Sequence, residues 1–409
     1  MSAATDTGKR IASAALSVAL TVTVSIGGAL AGPVPAVSAP VAGGEPPTLP
    51  RPTSGCVGDS PVVATRPPWA LGRMAPQHVW PLTRGRGAVV AVLDTGVSAR
   101  AGGLTGNAVE PGTNVVQHVP AYHDCAGRGT ALAGIVAARP VSGSPFVGVA
   151  PEATVLPIGI VDGDGKIPPG AIAKGIRAAT AAGADVILLG VGTDQPDAGL
   201  RSAVQAAVRH DIVLVASVSD QEQLNSTQKS AAWYPASDDH VLAVGGVGPD
   251  GVPTEKLSPR DSVDLLAPGA EAISVAPTGH GHYSVGGPAV AAAYVAGAAA
   301  LVRAYYPRLD EEEVRRRLEL TAEHPLGKLP DPVVGYGTLD LYHAVTALDL
   351  HESTLPPARP APVVLPAKAP ANPATLIGGI VSAGTVAAAA VAYISAVAIR
   401  WGRRRRWHA

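Results

Sequence analysis

Ala88-Val89-Val90-Ala91-Val92-Leu93-Asp94-Thr95-Gly96 is an uninterrupted apolar run that ends on a carboxylate and a glycine turn. A strand without a polar residue on either face is buried on both, the mark of a parallel sheet covered by helices. Further runs of this kind occur at 154–160, 185–189, 212–216, 241–247 and 264–266. Among and after them, helical patterns occupy 129–138, 168–182, 199–210, 287–306 and 310–320. Short buried strands alternating with helices predict a doubly wound α/β domain with helices on both faces of a parallel sheet. Such sheets set their sites at the carboxyl ends of the strands, so Asp94 stands where chemistry is expected.

The 409 residues carry 31 basic and 32 acidic side chains, a formal net charge of −1. That balance gives no basis for nucleic-acid binding. The two cysteines, Cys56 and Cys125, have no metal-type spacing, and in an oxidising compartment they predict a disulfide. Closing a loop of that length stabilises a fold by about 4 kcal/mol in the chain-entropy model. Asp162-Gly163-Asp164-Gly165 has part of a calcium loop but lacks its remaining oxygen ligands and terminal Glu, so it reads as a turn. No metal and no cofactor are expected.

Both ends carry membrane signals. Lys9 and Arg10 precede an apolar, uncharged stretch at 11–31, followed by small-residue cleavage triplets at Ala29-Leu30-Ala31 and Val37-Ser38-Ala39. Residues 1–39 read as a signal peptide, with an uncleaved anchor as the alternative. A Pro/Gly-rich extension at 40–85 is expected to wrap the core, which occupies 86–350, and a Pro-rich linker follows at 351–375. Residues 376–399 carry no charge and, as a helix, reach about 36 Å, enough to span a bilayer. Gly378 and Ser382 give this segment a small-xxx-small spacing suited to helix packing. Arg400 and Arg403 to Arg406 lie in the tail at 400–409, and the positive-inside tendency keeps that tail cytoplasmic. The expected product is a single-pass protein of the cell membrane with its folded domain outside.

Three segments concentrate the chemistry: Asp94-Thr95-Gly96, Asp124-Cys125-Ala126-Gly127-Arg128-Gly129-Thr130, and Ser284-Val285-Gly286-Gly287-Pro288-Ala289. With Pro68-Trp69-Ala70, Ala75-Pro76-Gln77-His78-Val79-Trp80-Pro81-Leu82-Thr83-Arg84-Gly85, Tyr234-Pro235-Ala236, Ala243-Val244-Gly245, Ala267-Pro268-Gly269 and Val334-Gly335-Tyr336-Gly337, their order resembles the subtilisin-like serine proteases. More narrowly it resembles the mycosins, the membrane-anchored subtilases of type VII secretion systems. The resemblance implies a subtilisin-like fold, a catalytic triad in the order Asp, His, Ser, and partners among the type VII secretion membrane-complex proteins. It also places Gly190-Val191-Gly192 at the substrate-binding strand, an edge able to hold an extended peptide by backbone pairing.

The departures from that family pattern bear on function. Asp94 is the retained triad acid, but Arg128 stands at the position of the His and Ala289 at that of the nucleophilic Ser, with Pro288 before it. Asp220, in Val218-Ser219-Asp220, stands where an Asn supplies the oxyanion hole. A methyl group cannot form an acyl-enzyme, a guanidinium keeps its proton and cannot act as base, and a carboxylate cannot donate to an oxyanion. The resemblance therefore implies a pseudoprotease, a non-catalytic scaffold or peptide-binding component of a secretion complex. The alternative is an active serine endopeptidase that uses substitute residues. Ser284, His280 and His282 sit together in Gly279-His280-Gly281-His282-Tyr283-Ser284, and His123 lies five positions before Arg128. The plainer reading of 279–284 is a polar surface loop leading into the helix at 287–306. Ancestral geometry would set the Arg128 guanidinium against Asp94 and within reach of Asp220, rather than out in solvent.

Overall fold

The computed structural model describes residues 41–42, 44–52, 55–106, 108–163, 165–195, 197–219, 232–255, 263–348 and 373–404. The expectations for 1–40, for Asp164, for Asp220, for the linker at 351–372 and for the tail at 405–409 lie outside the described residues. The chain falls into two compact units, one through Leu348 and one from Asp349 onward.

In chain order the first unit holds β1 (Val41–Ala42), β2 (Val62–Val63), α1 (Trp69–Met74), β3 (Val89–Asp94), β4 (Thr113–Asn114) and α2 (Arg128–Ala137). Then come β5 (Thr154–Gly159), α3 (Ala171–Ala181), β6 (Val186–Leu189), α4 (Ala198–Arg209), β7 (Val213–Ser217), β8 (Val241–Val247) and β9 (Leu265–Pro268). It closes with β10 (Ala272–Val275), β11 (His282–Val285), α5 (Pro288–Tyr305), α6 (Glu311–Leu320) and α7 (Leu341–Thr346). Seven strands form one parallel sheet in the order β4-β5-β3-β6-β7-β8-β9. The sheet is doubly wound, as the apolar runs predict.

Side chains alternate along each strand, so each face of the sheet meets its own layer. Val90 and Val92 of β3, with Val186 and Leu188 of β6, pack into the cluster that includes α2 and α5. Ala91 and Leu93, with Ile187 and Leu189, face α3 and α4. The helix α5 runs through the first layer and is buried along nearly its whole length, an all-round apolar helix rather than an amphipathic one. Its small residues admit close approach: a Cβ at Gly297 would stand 2.7 Å from the Cβ of Val149.

The hairpin β10–β11 departs from the sequence expectation. Within residues 279–284 only 279–281 lie in a loop, with His280 exposed; from His282 onward β11 pairs antiparallel with β10 in a register that sets Ser284 opposite Ile273. Its other edge takes up the N-terminal extension: Ser284 N donates to Pro47 O at 2.8 Å and Leu49 N to Ser284 O at 3.0 Å. Pattern reading missed the strand because His, Tyr and Ser alternate in it with no apolar period. The expected Cys56–Cys125 disulfide is present, with the two Cα atoms 4.2 Å apart, and it ties the extension to the loop before α2.

His282 locks three segments together. Its Nδ1 accepts from Ala64 N at 3.3 Å, its Nε2 lies 3.3 Å from Ser144 Oγ, and its ring meets Phe146 edge-on at 5.5 Å. An Nδ1 that accepts leaves the proton on Nε2, so the neutral ring donates to Ser144. Burial holds the imidazole well below its ordinary value, at about 4, although the Asp59 charge opposes the shift.

The second unit contains α8 (Pro373–Arg404). Its stretch Gly384–Arg403 is long and apolar enough to cross a membrane, so it is a candidate membrane span. The segment expected at 376–399 lies within α8. The only other described helix to meet that test is α5, the core helix of the first unit.

Because the folded state resists protonation of His282, its contribution to stability is complete above the unfolded value of 6.5 and is lost as pH falls from there toward 4. Melting temperatures of the native chain and a His282→Gln variant, followed from pH 7.5 to 4, are expected to converge on acidification; a constant gap excludes this linkage.

Candidate active site

The site is built where β3 and α2 meet. Asp94 closes β3 and is fully buried. Its Oδ1 accepts from Thr95 N at 2.8 Å and from Arg128 Nε at 2.9 Å. The Arg128 guanidinium therefore lies against the Asp94 carboxylate, in the pairing that the family resemblance implies. The Arg128 side chain is 35% exposed, so the pair joins a buried anion to a cation at the cleft surface. Oδ2 of Asp94 is buried and has no hydrogen-bond partner. It points over Gly190, where an added Cβ would stand 2.5 Å from it and 2.6 Å from Leu132 Cδ1. Glycine at 190 is required by that carboxylate.

The N-terminus of α2 is fixed by groups other than Arg128. Its N-cap, Gly127, has a φ of 78° and no side chain to cap with. Asp124 supplies the missing acceptor, with Oδ1 taking Gly127 N at 2.8 Å and Oδ2 taking Thr130 N at 2.8 Å and the Thr130 hydroxyl at 2.7 Å. Thr95 completes the turn: its Oγ1 accepts from Gly129 N at 3.0 Å and donates to Asp124 at 2.8 Å. Burial raises the Asp124 carboxyl above the ordinary range, against the pull of the Thr130, Thr95 and Gly127 hydrogen bonds. The sequence reading quoted Asp124 without assigning it a role. The available signal was an Asx acceptor just ahead of a helix that begins after glycine.

Ala289 is the second residue of α5, after Pro288 at the first position, where proline's missing N–H costs nothing. Its methyl packs on the core shared by α2 and α5. Ser284, His282 and His280, the substitute residues weighed from the sequence, are engaged elsewhere. Ser284 is held by its backbone between β10 and residues 47–49, and among the described residues no imidazole hydrogen-bonds to it. His282 directs its Nε2 to Ser144 Oγ, which also accepts from Phe146 N at 3.1 Å. In that arrangement the ring is a donor to the serine and cannot take its proton. His280 occupies the space in which a Cβ at Gly102 would stand, 3.3 Å from its Cε1.

A family model, Peptidase S8, the subtilase family, matches residues 85–337. The chain belongs to the subtilase family. Among its subtilase relatives, Mycosin-4 of Mycobacterium tuberculosis (strain ATCC 25618 / H37Rv) is 33% identical over 331 residues, 71% of each chain. Solved subtilase structures agree. The MycP3 protease from the type VII (ESX-3) secretion system superposes with a TM-score of 0.63 at 27% identity, over 76% of this chain and 97% of that one. A chain of an intact ESX-5 inner membrane complex superposes with a TM-score of 0.61 at 26% identity, over 89% and 98%. Within the subtilases this is a mycosin-like chain.

Removing the cation should expose the cost of the stranded acid. Arg128→Met is expected to lower the unfolding free energy by about 2 kcal/mol, because a buried carboxylate loses its charged partner. Adding Asp94→Asn should recover most of that loss; additive losses in a denaturant-melt cycle would show that the two side chains do not interact energetically.

Proposed function

We propose that this chain is a mycosin-like pseudoprotease, a subtilase that keeps the fold and the triad acid but has given up the chemistry, and that it serves as a scaffold. The observation that carries the reading is the Arg128–Asp94 contact at 2.9 Å. The partner that a triad acid needs is an imidazole able to accept and return a proton, and a guanidinium stays protonated to pH above about 12. Ala289 offers no oxygen to attack a carbonyl, and Asp220 at the oxyanion position offers an acceptor where a donor is required. In subtilisin, removing the serine or the histidine alone costs about 10⁶-fold in turnover. With both roles vacant, peptide hydrolysis falls to background.

The scaffold half of the proposal rests on likeness to a chain of the ESX-5 inner membrane complex over most of both lengths. We assign this chain to an equivalent place: a subunit of a type VII secretion membrane complex. The membrane layout proposed with it is a signal peptide at 1–39, an extension at 40–85, the pseudopeptidase domain at 86–350, a Pro-rich linker at 351–375 and a single span at 376–399. The arginine-rich tail at 400–409 stays cytoplasmic and the domain extracytoplasmic. An active endopeptidase would need a relocated serine and base, and the engagement of Ser284 and His282 described above argues against it.

A fluorophosphonate probe is expected to leave the purified full-length chain unlabelled; stoichiometric labelling at a serine would overturn the non-catalytic reading. Restoring Arg128→His, Asp220→Asn and Ala289→Ser together should permit labelling, since the fold and the triad acid are kept and the small probe needs no peptide pocket. The scaffold assignment is tested by affinity purification of the tagged chain from its native membranes, where recovery free of secretion-complex subunits would count against it.

A further inference from the structure

Residues 190–193 leave the sheet at the carboxyl end of β6, beside Asp94, and their continuation faces the segment at 233–234. Thr193 N donates to Tyr234 O, and Tyr234 N to Thr193 O, both at 2.8 Å. This two-way pairing holds Trp233 against the preceding glycine. An added Cβ at Gly192 would run into the indole Nε1, and would stand 2.7 Å from its Cε2 and 2.6 Å from Tyr234 O. The indole is 9% exposed and packs in the same apolar cluster as Val191 and Val218, the residues that continue β6 and β7. Its Nε1 is buried without a hydrogen-bond partner, as are the hydroxyls of Ser217 and Ser219 at the end of β7. Glycine in an extended segment marks the close approach of another group. Here the approaching group is the protein's own tryptophan, and its buried indole N–H goes unpaired, a cost that the packing of the rings offsets.

We propose that Trp233 is a built-in plug of the peptide-side-chain pocket beside Gly190-Val191-Gly192. An extended peptide laid along this edge would direct alternate side chains toward the space between the β6 and β7 extensions, and the indole fills that space. The lost chemistry and the filled pocket are separate lesions. This inference goes beyond the non-catalytic reading and does not depend on it: labelling by a fluorophosphonate would overturn that reading and leave the plug untouched.

The test uses the full-length chain in detergent and fluorescein-labelled hexapeptides that differ only in carrying Gly, Leu or Phe at the fourth position. By fluorescence anisotropy, Trp233→Ala is expected to bind the Leu and Phe peptides at least about tenfold more tightly than the native chain, the gain from admitting an apolar side chain. The Gly peptide should not discriminate. Equal behaviour of native and variant chains toward the Phe peptide, whether both bind or neither does, overturns the proposal. A melting curve verifies that the variant is folded; should it not be, Trp233→Val is read in the same way.

Discussion

A carboxylate at the end of a buried parallel strand has to be answered by something. In this chain the answer to Asp94 is the Arg128 guanidinium, whose Nε lies 2.9 Å from Oδ1. The anion is fully buried and its partner stands at the surface, so the charge at the end of β3 is met without placing two ions in the dry interior. One carboxylate oxygen remains without a partner, over a glycine that leaves it room. An imidazole would accept and donate in turn at that place; the guanidinium only donates. The same electrostatic need is met, and the capacity to move a proton is not.

The parallel sheet was legible in the sequence because burial on both faces leaves a signature that few other arrangements share. The run from Ala88 to Leu93 has no polar residue, and the other central strands repeat it. The pairing of Arg128 with Asp94 was also legible, since a residue order fixes which side chains meet once the fold is known. The hairpin β10–β11 was not, because β11 carries polar residues, His282 and Ser284, in a strand that is mostly buried and is held by backbone pairing on both its edges. Nor was Trp233: nothing local to Trp233-Tyr234 says that its indole will lie against Gly192, some forty positions earlier, since only the tertiary pairing at Thr193 brings them together. Asp124 lay between these extremes, visible as a residue and silent as a capping group.

The N-terminal extension is knitted into the core at two kinds of joint. Residues 47–49 pair with Ser284 by backbone hydrogen bonds, and Cys56 is bound to Cys125 one turn before α2. Ala64 donates to the buried His282 ring. Three segments distant in sequence thus meet around one hairpin, and the loop that carries Asp124 and Arg128 is held from that side.

The capping of α2 by Asp124 and Thr95 has an evolutionary consequence. Since neither group belongs to residue 128, the first turn of the helix does not rely on what occupies that position. A lineage can exchange the side chain there, proton carrier for permanent cation, without passing through an ancestor that fails to fold. The backbone at the start of α2 is thereby decoupled from the chemistry of residue 128, which has only to answer the Asp94 carboxylate.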